Sequence, residues 1–408
     1  MINNTYSQYI TKESKWDISL YIPALQWFFI ALIIRLIALI IIHFYSIQAG
    51  FNGFIPMSSG GDDKYYYDVA KSMLNGNIPT TLPNYYPYFL TFLFFIFSPS
   101  LFLGQLANVL FSSITVYFGV LITREVSEST KNQYDLRNPV NIAGFLLSFY
   151  PSSIFYSTQL LKDPMLIMIG IISLYLLIRL FNNFKMKNLV MLIFTLIILS
   201  LLRGYTMLAI LIASFIYILF SNRISFKYII ALLVLFATIP MIFGYGIFGL
   251  NFINNILNPK KLSTIRDTVY SIGGSAAGIK IDFSSIYGFI FTYGYSFITA
   301  MFGPLPWQIE NLTIAIGLID AIIVWVLIPK FIKGVKNIFD RRNITIKELV
   351  FLFSFILIAA IALFSDNIGA NTRLRMLAWD AFFIYAASLY NLKSSKKSIK
   401  NENVNGDI

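Results

Sequence analysis

The chain is expected to be an all-α polytopic membrane protein, a bundle of about ten to twelve transmembrane helices. Three observations point there. Of its 408 residues, 57% are hydrophobic and only 12% charged, against roughly 25% charged in soluble domains. Apolar runs of about 18 residues or more recur along the chain, and about 20 helical residues cross a ~30 Å hydrocarbon core. Lysine and arginine collect in the short segments between those runs, the charge bias that orients helical membrane proteins. The runs are continuously apolar rather than alternating, so a β-barrel does not fit.

The formal charge of +12 does not indicate nucleic-acid binding, because the cations lie between membrane segments. The chain has no cysteine and one histidine, His43, which leaves out thiolate chemistry, a His-rich metal site and a Ser-His-Asp triad. The polar first 22 residues and the long apolar run that follows do not resemble a secretory signal.

Residues 1–23 are expected in the cytoplasm, 24–392 form the transmembrane domain, and 393–408 are a basic cytoplasmic tail. The first crossing is placed at about 24–46, with Arg35 inside it. A mid-helix arginine either faces the bundle as a functional group or pairs with a backbone carbonyl or lipid headgroup. Residues 48–86 form an acidic external first loop carrying juxtamembrane helices, with an amphipathic stretch from Asp63 to Leu74. The apolar run from Tyr88 to Thr123 is interrupted at Ser98-Pro99-Ser100. It reads either as two crossings, or as a re-entrant or interfacial piece at 86–98 and one crossing at 103–123. The single crossing keeps Lys185, Lys187, Arg223 and Lys227 in the cytoplasm with Arg124, Lys330, Lys333 and Lys336, and is preferred on that ground.

Further crossings follow at about 140–158, 164–182, 189–202, 205–220, 228–249, 311–329, 349–365 and 378–392. Residues 250–285 form a second external loop. Loop parity then requires 286–303 to dip in and return, or to lie flat. Its aromatics at 287, 289, 291, 293, 295 and 297 recur every two residues, a spacing that suits neither a simple amphipathic helix nor an ordinary span.

On this topology a small polar set faces outward: Asp62 and Asp63, then Lys162-Asp163-Pro164, Arg203, Lys260, Lys261, Arg266 and Asp267, and finally Asp366 to Arg375. Carboxylates deprotonate hydroxyl nucleophiles and suit Mg²⁺ or Mn²⁺. Arginine matches phosphate bidentately. The set therefore fits a negatively charged lipid headgroup beside an acid/base or metal centre. Each member also has a plainer reading. Asp62, Asp63 and Asp163 suit helix N-termini, Arg373 and Arg375 suit interface anchors, and the tyrosines at 65–67 suit an aromatic belt.

Asp62-Asp63-Lys64-Tyr65-Tyr66-Tyr67-Asp68-Val69-Ala70, followed by Leu74-Asn75-Gly76, resembles the first-loop acidic motif of the GT-C superfamily of integral membrane glycosyltransferases. The relatives it is similar to are the protein mannosyltransferases, the lipid A aminoarabinose transferases and the oligosaccharyltransferase catalytic subunit. Tyr150-Pro151 through Asp163-Pro164, Leu202-Arg203-Gly204 and Asn367 to Arg375 resemble later motifs of bacterial members, and the oligosaccharyltransferase's extra acidic neighbour is replaced here by Pro164. The resemblance implies sugar transfer, with inversion, from a polyprenyl-phosphate donor to a lipid-linked, glycan or protein acceptor. The site is then external on a bacterial plasma membrane. Asp62 would be the base, preferred by its spacing to Tyr66 and Ala70, with Asp63 or Asp163 assisting. Asp62 and Asp163 are the implied metal ligands. Asp163, Arg203, Arg373, Arg375 and Tyr66 would contact the substrate, the three arginines holding the lipid phosphate, and the 250–285 loop would close over the donor. A transporter or flippase for a lipid-linked sugar is the alternative, drawing on Arg35 and Asp320 inside helices. A polymerase of lipid-linked saccharides would share the external arginines without needing the acidic first loop.

Overall fold

The computed structural model describes residues 21–54, 61–128, 137–221, 234–235, 258–269, 280–309, 312–340 and 344–390. Among them every regular element is helical, and five helices are long and apolar enough to cross a membrane. Four are α1 (Ile22–Gln48), α4 (Leu101–Glu128), α7 (Asp163–Asn182) and α8 (Met186–Phe220). Between α1 and α4 lie α2 (Asp62–Leu74) and α3 (Tyr86–Phe97). Twelve residues in α3 rise about 18 Å, too little for a full crossing. The single-crossing expectation for 86–123 therefore fits the helix lengths.

The predicted crossing at 140–158 is two helices, α5 (Arg137–Ser148) and α6 (Pro151–Ser157). Pro151 cannot donate to the preceding turn, so it opens the second helix rather than continuing the first. Two buried charges close the break. Arg35 donates to the carbonyls of Leu147 (3.1 Å) and Ser148 (3.2 Å) at the end of α5. It also donates to the hydroxyls of Ser112 (2.8 Å) and Ser153 (3.0 Å). At the other side Asp320 accepts from the Ser152 backbone N–H (3.1 Å) and hydroxyl. Arg35 thus takes the backbone-carbonyl role, and Asp320 caps a helix start.

In α8 the chain leaves helical geometry at Arg203 (φ −163°, ψ 94°). Thirty-five residues would extend about 52 Å if straight, yet the two ends stay together. Arg203 meets Asp163 at the start of α7, whereas the Tyr217 ring lies 4.8 Å from Phe181 near the end of α7. The chain therefore turns back at Arg203, and the two segments expected at 189–202 and 205–220 run side by side in opposite directions. Carbonyls freed by the break are used: Leu201 accepts from the Tyr85 N–H (3.3 Å) and Leu202 from Lys162 Nζ (3.2 Å).

Beyond residue 235 come α9 (Pro259–Val269), α10 (Ile286–Phe302), α11 (Leu312–Val326), α12 (Ile328–Asp340), α13 (Ile346–Phe364, the fifth long span), α14 (Ile368–Leu374) and α15 (Met376–Ser388). Two boundaries differ from expectation. The predicted 311–329 segment ends at Val326, and Pro329 lies in the first turn of the separate α12. Residues 286–302 form one uninterrupted helix, which rules out the dip and return. Its alternating aromatics also find a cause. Residues two apart on a helix lie about 200° apart, so the run divides into two i, i+4 rows. Phe289, Tyr293 and Phe297 turn inward, and Tyr293 donates to the Ala359 carbonyl of α13 (2.9 Å). Tyr287 and Phe291 face out, 83% and 79% exposed. The predicted crossing at 228–249, apart from residues 234–235, the Gly273–Gly278 run and the basic tail fall outside the described residues.

Candidate functional site

Four side chains from four separate segments form one ion-paired cluster. Arg373, at the end of α14, donates from Nη1 to Asp62 Oδ2 at 2.8 Å and places Nε 3.4 Å from Asp163 Oδ2. Arg203, at the fold of α8, donates from Nη2 to Asp163 Oδ1 at 2.7 Å. The chain makes this possible by leaving helical geometry beside each residue. Gly61 adopts a left-handed φ of 83° to start α2 at Asp62, a conformation glycine takes without steric cost. Asp163 and Pro164 open α7, Arg203 is extended, and α14 ends two residues before α15 begins.

The cluster is graded in exposure. The Asp163 side chain is 1% exposed and Asp62 38%, so Asp62 is the carboxylate that solvent can reach. Neither aspartate is an N-cap. The caps are Gly61 and Lys162, and neither makes a side-chain capping bond. Burial opposes the charge on Arg373, but the carboxylates of Asp163 and Asp62 outweigh it and hold the guanidinium above its ordinary range.

Tyr66 lies behind the cluster, buried, with its ring 5.2 Å from Tyr86. Its hydroxyl accepts from Asn84 Nδ2 (2.9 Å), and burial together with the Asp163 charge raises its pKa. The network continues through Tyr86 to Asn108 (3.1 Å) and from Asn108 to the carbonyls of Gln159 and Leu161. It fixes α2 against the turn that delivers Asp163. Tyr156 hydrogen-bonds Thr372 at 3.0 Å, which steadies the turn before Arg373. Arg266 of α9 donates to the carbonyls of Ala362 (2.8 Å) and Leu363 (2.9 Å) and so caps α13.

The predicted set is therefore assembled in part. Asp62, Asp163, Arg203 and Arg373 meet, and Tyr66 supports them. Asp63 is buried next to Asp62 and accepts from the Lys64 N–H (2.9 Å). Arg375 goes elsewhere: it is buried against Trp379, with its guanidinium 3.9 Å over the ring, and Nη1 donates to the Ala300 carbonyl at 3.2 Å. Burial lowers its pKa. Lys162 was named in the sequence but given no role; burial and the Arg203 charge bring its amine down to about 7. Its adjacency to Asp163 was the signal.

With Lys162 counted, three basic groups surround two carboxylates, and the arrangement can receive an anion. Asp62 and Asp163 already face guanidinium groups, and the described residues bring together no group of three or more His, Asp or Glu. As placed, this donor set does not fit a divalent cation. Comparison of the sequence with protein-family models and with curated proteins gives no match.

Proposed function

We propose that this protein is an integral membrane glycosyltransferase. It moves a sugar from a polyprenyl-phosphate-linked donor to an acceptor hydroxyl on the outer face of the membrane, with Asp62 as general base. The reading includes about ten to twelve crossings, cytoplasmic termini and a bacterial plasma membrane. The observation that carries it is the cluster itself: a reachable carboxylate from the first loop, held by an arginine next to a second arginine and a lysine.

In this reading the donor phosphate binds against Arg373, Arg203 and Lys162, where bidentate guanidinium contacts suit it. Arg373 exchanges Asp62 for the phosphate, which frees the carboxylate at the moment a substrate is present. Asp62 then accepts the proton of the acceptor hydroxyl. The hydroxyl oxygen bonds to the anomeric carbon from the face opposite the phosphate as the anomeric carbon–oxygen bond breaks, so configuration inverts. Polyprenyl phosphate leaves with its charge held by the arginines. No step uses a metal, because the carboxylates as placed do not make a metal-binding set. The transporter alternative drew on Arg35 and Asp320, and both are engaged in closing the α5–α6 break.

The test is sugar transfer in proteoliposomes carrying a polyprenyl-phosphate sugar. A general base contributes about 10²–10⁴-fold, so Asp62→Asn is expected to lower turnover by that order while the protein stays folded and retains donor binding. Full activity in Asp62→Asn would overturn the assignment.

A further inference from the structure

The short helix α12 buries only part of its apolar surface in the bundle. The Phe331 ring packs 5.4 Å from Phe351 and 5.9 Å from Phe382, a Cβ at Gly334 would come within 2.7 Å of the Phe351 ring, and Val335 and Ile338 join the same core. Ile332 and Phe339 do not. They are 59% and 83% exposed, and their spacing of two helical turns puts them on one flank. Lys330, Lys333 and Lys336 take the other side. Residues three apart step back by about 60° around a helix, so the three lysines cover an arc of about 120°. Asp340 is the one acid in α12, and Arg341 and Arg342 follow it in the sequence.

The position of α12 decides what covers that flank. α15 starts beside Arg373 and α13 ends just before the turn that carries it, so the end of α15 and the start of α13 lie away from the Asp62 cluster. α12 meets both. Lys330 Nζ stands 4.1 Å over the Tyr390 ring, just past α15, and Asn337 donates to Glu348 in the first turn of α13 (3.1 Å). Only Leu327 separates α12 from α11, whose exposed Ile319, Ile322 and Val326 form an apolar row at i, i+3 and i+7, the face a crossing helix turns to hydrocarbon. Thirteen residues rise about 20 Å, too little to cross, so α12 takes over where α11 leaves the hydrocarbon. A helix with an apolar flank and a lysine face at that level lies in the membrane interface. We propose that α12 is an interfacial helix that binds anionic lipids on the side opposite the Asp62 cluster. Lys330, Lys333 and Lys336 meet the negative headgroups, and Ile332 and Phe339 enter the acyl layer beneath them. Lysine stems run along apolar surface while the ammonium reaches the headgroups. This contact depends on the membrane-embedded fold alone and not on sugar transfer at the outer cluster.

A chain without cysteine allows depth to be measured directly. Full-length Phe339→Cys and Lys336→Cys are spin-labelled and reconstituted in equimolar phosphatidylcholine–phosphatidylglycerol bilayers. Each label is tested for collision with oxygen, which concentrates in the acyl layer, and with a water-soluble nickel chelate. The label at 339 is expected to favour oxygen and the label at 336 nickel. Nickel contact at both positions places the helix in water, and shielding of the label at 339 from both reagents places a protein on the flank. Either result overturns the proposal. Charge is tested in neutral detergent, by the shift of the unfolding midpoint as short-chain phosphatidylglycerol or phosphatidylcholine is titrated in. The variant Lys330→Gln/Lys333→Gln/Lys336→Gln is expected to need about tenfold or more phosphatidylglycerol for the wild-type response and to respond to phosphatidylcholine as the wild type does. Lys185→Gln/Lys187→Gln, which removes charge elsewhere on the same side, is expected to keep the wild-type response. An equal loss in that control assigns the effect to general surface charge and overturns the lysine site. Should the triple variant fail to fold, Lys336→Gln alone, at an exposed position, is expected to weaken the response by about fivefold.

Discussion

Asp62 and Asp163 are chemically identical side chains with opposite surroundings. Asp163 is buried between two guanidinium groups and closed to solvent. The Asp62 side chain is 38% exposed and accepts from Arg373. Spacing within the first-loop motif favours Asp62 over its neighbour, and the two differ in exposure, Asp62 being open to solvent and Asp63 buried. What spacing could not reveal is that Arg373 and Arg375, two residues apart, lie in different environments. The short helix α14 ends between them, and a helix boundary read from sequence is placed only to within about 2–4 residues. Lys162 gives this scale its pH signature. Its amine is neutral in the folded protein above about pH 7, while an unfolded lysine stays protonated up to its ordinary 10.5. Between those values the unfolded state binds more protons, so the stability owed to this group rises with pH. Below about pH 7 both states carry the proton and the dependence ends. Lys162→Met is expected to remove this rise, seen as a difference between wild-type and variant unfolding midpoints that shrinks from pH 7 to pH 10. Parallel curves would count against it.

The elements are broken where the site needs them. Pro151 ends one helix and begins another, Arg203 folds α8 back on itself, and the α14–α15 junction places Arg373. One of these breaks was legible, as a very short turn between two apolar runs at Arg203, whereas 140–158 reads as one crossing straight through Pro151. The partners that close the first break were not legible, because Arg35 and Asp320 are 285 positions apart in sequence and reach opposite sides of the break from separate helices. Mid-helix charge therefore reads as transport machinery in sequence and as helix repair in three dimensions. Small residues let the elements approach. Gly144 of α5 lies so close to α1 that an added Cβ would come within 2.3 Å of the Trp27 ring, and the Trp27 indole also donates to Asn141 (3.2 Å). A rigid ring cannot yield as a flexible side chain would, so Gly144→Ala is expected to cost about 1–3 kcal/mol. Trp27→Leu in the same chain is expected to recover part of that loss. Additive losses in the double variant would show that the contact is not the cause.

Across the whole molecule the helices sort their polar ends onto two faces. Asp62, Asp163, Arg203 and Arg373 share one. The other carries the Glu125–Arg179 pair (2.8 Å), the Phe181–Tyr217 contact and the link from Ile344 N–H to the Phe220 carbonyl (3.3 Å). The direction of α7 fixes this division: Asp163 stands at its start and Arg179 near its end, and the returning α8 repeats the assignment. Lys185 and Lys187 lie on the second face, between the end of α7 and the start of α8. On the positive-inside bias, the function proposed above takes the second face as cytoplasmic and the acidic cluster as external. The chain contains no cysteine, so single cysteines report on this directly. Ile78, 63% exposed beyond α2, and Lys187, exposed at the start of α8, are the positions to compare. A membrane-impermeant maleimide applied to intact cells is expected to label Ile78→Cys and to leave Lys187→Cys unlabelled until the membrane is opened. The reverse pattern would invert the orientation and move the acidic cluster into the cytoplasm. Labelling of both before opening would place the two faces on one side, which a crossing by α7 does not allow.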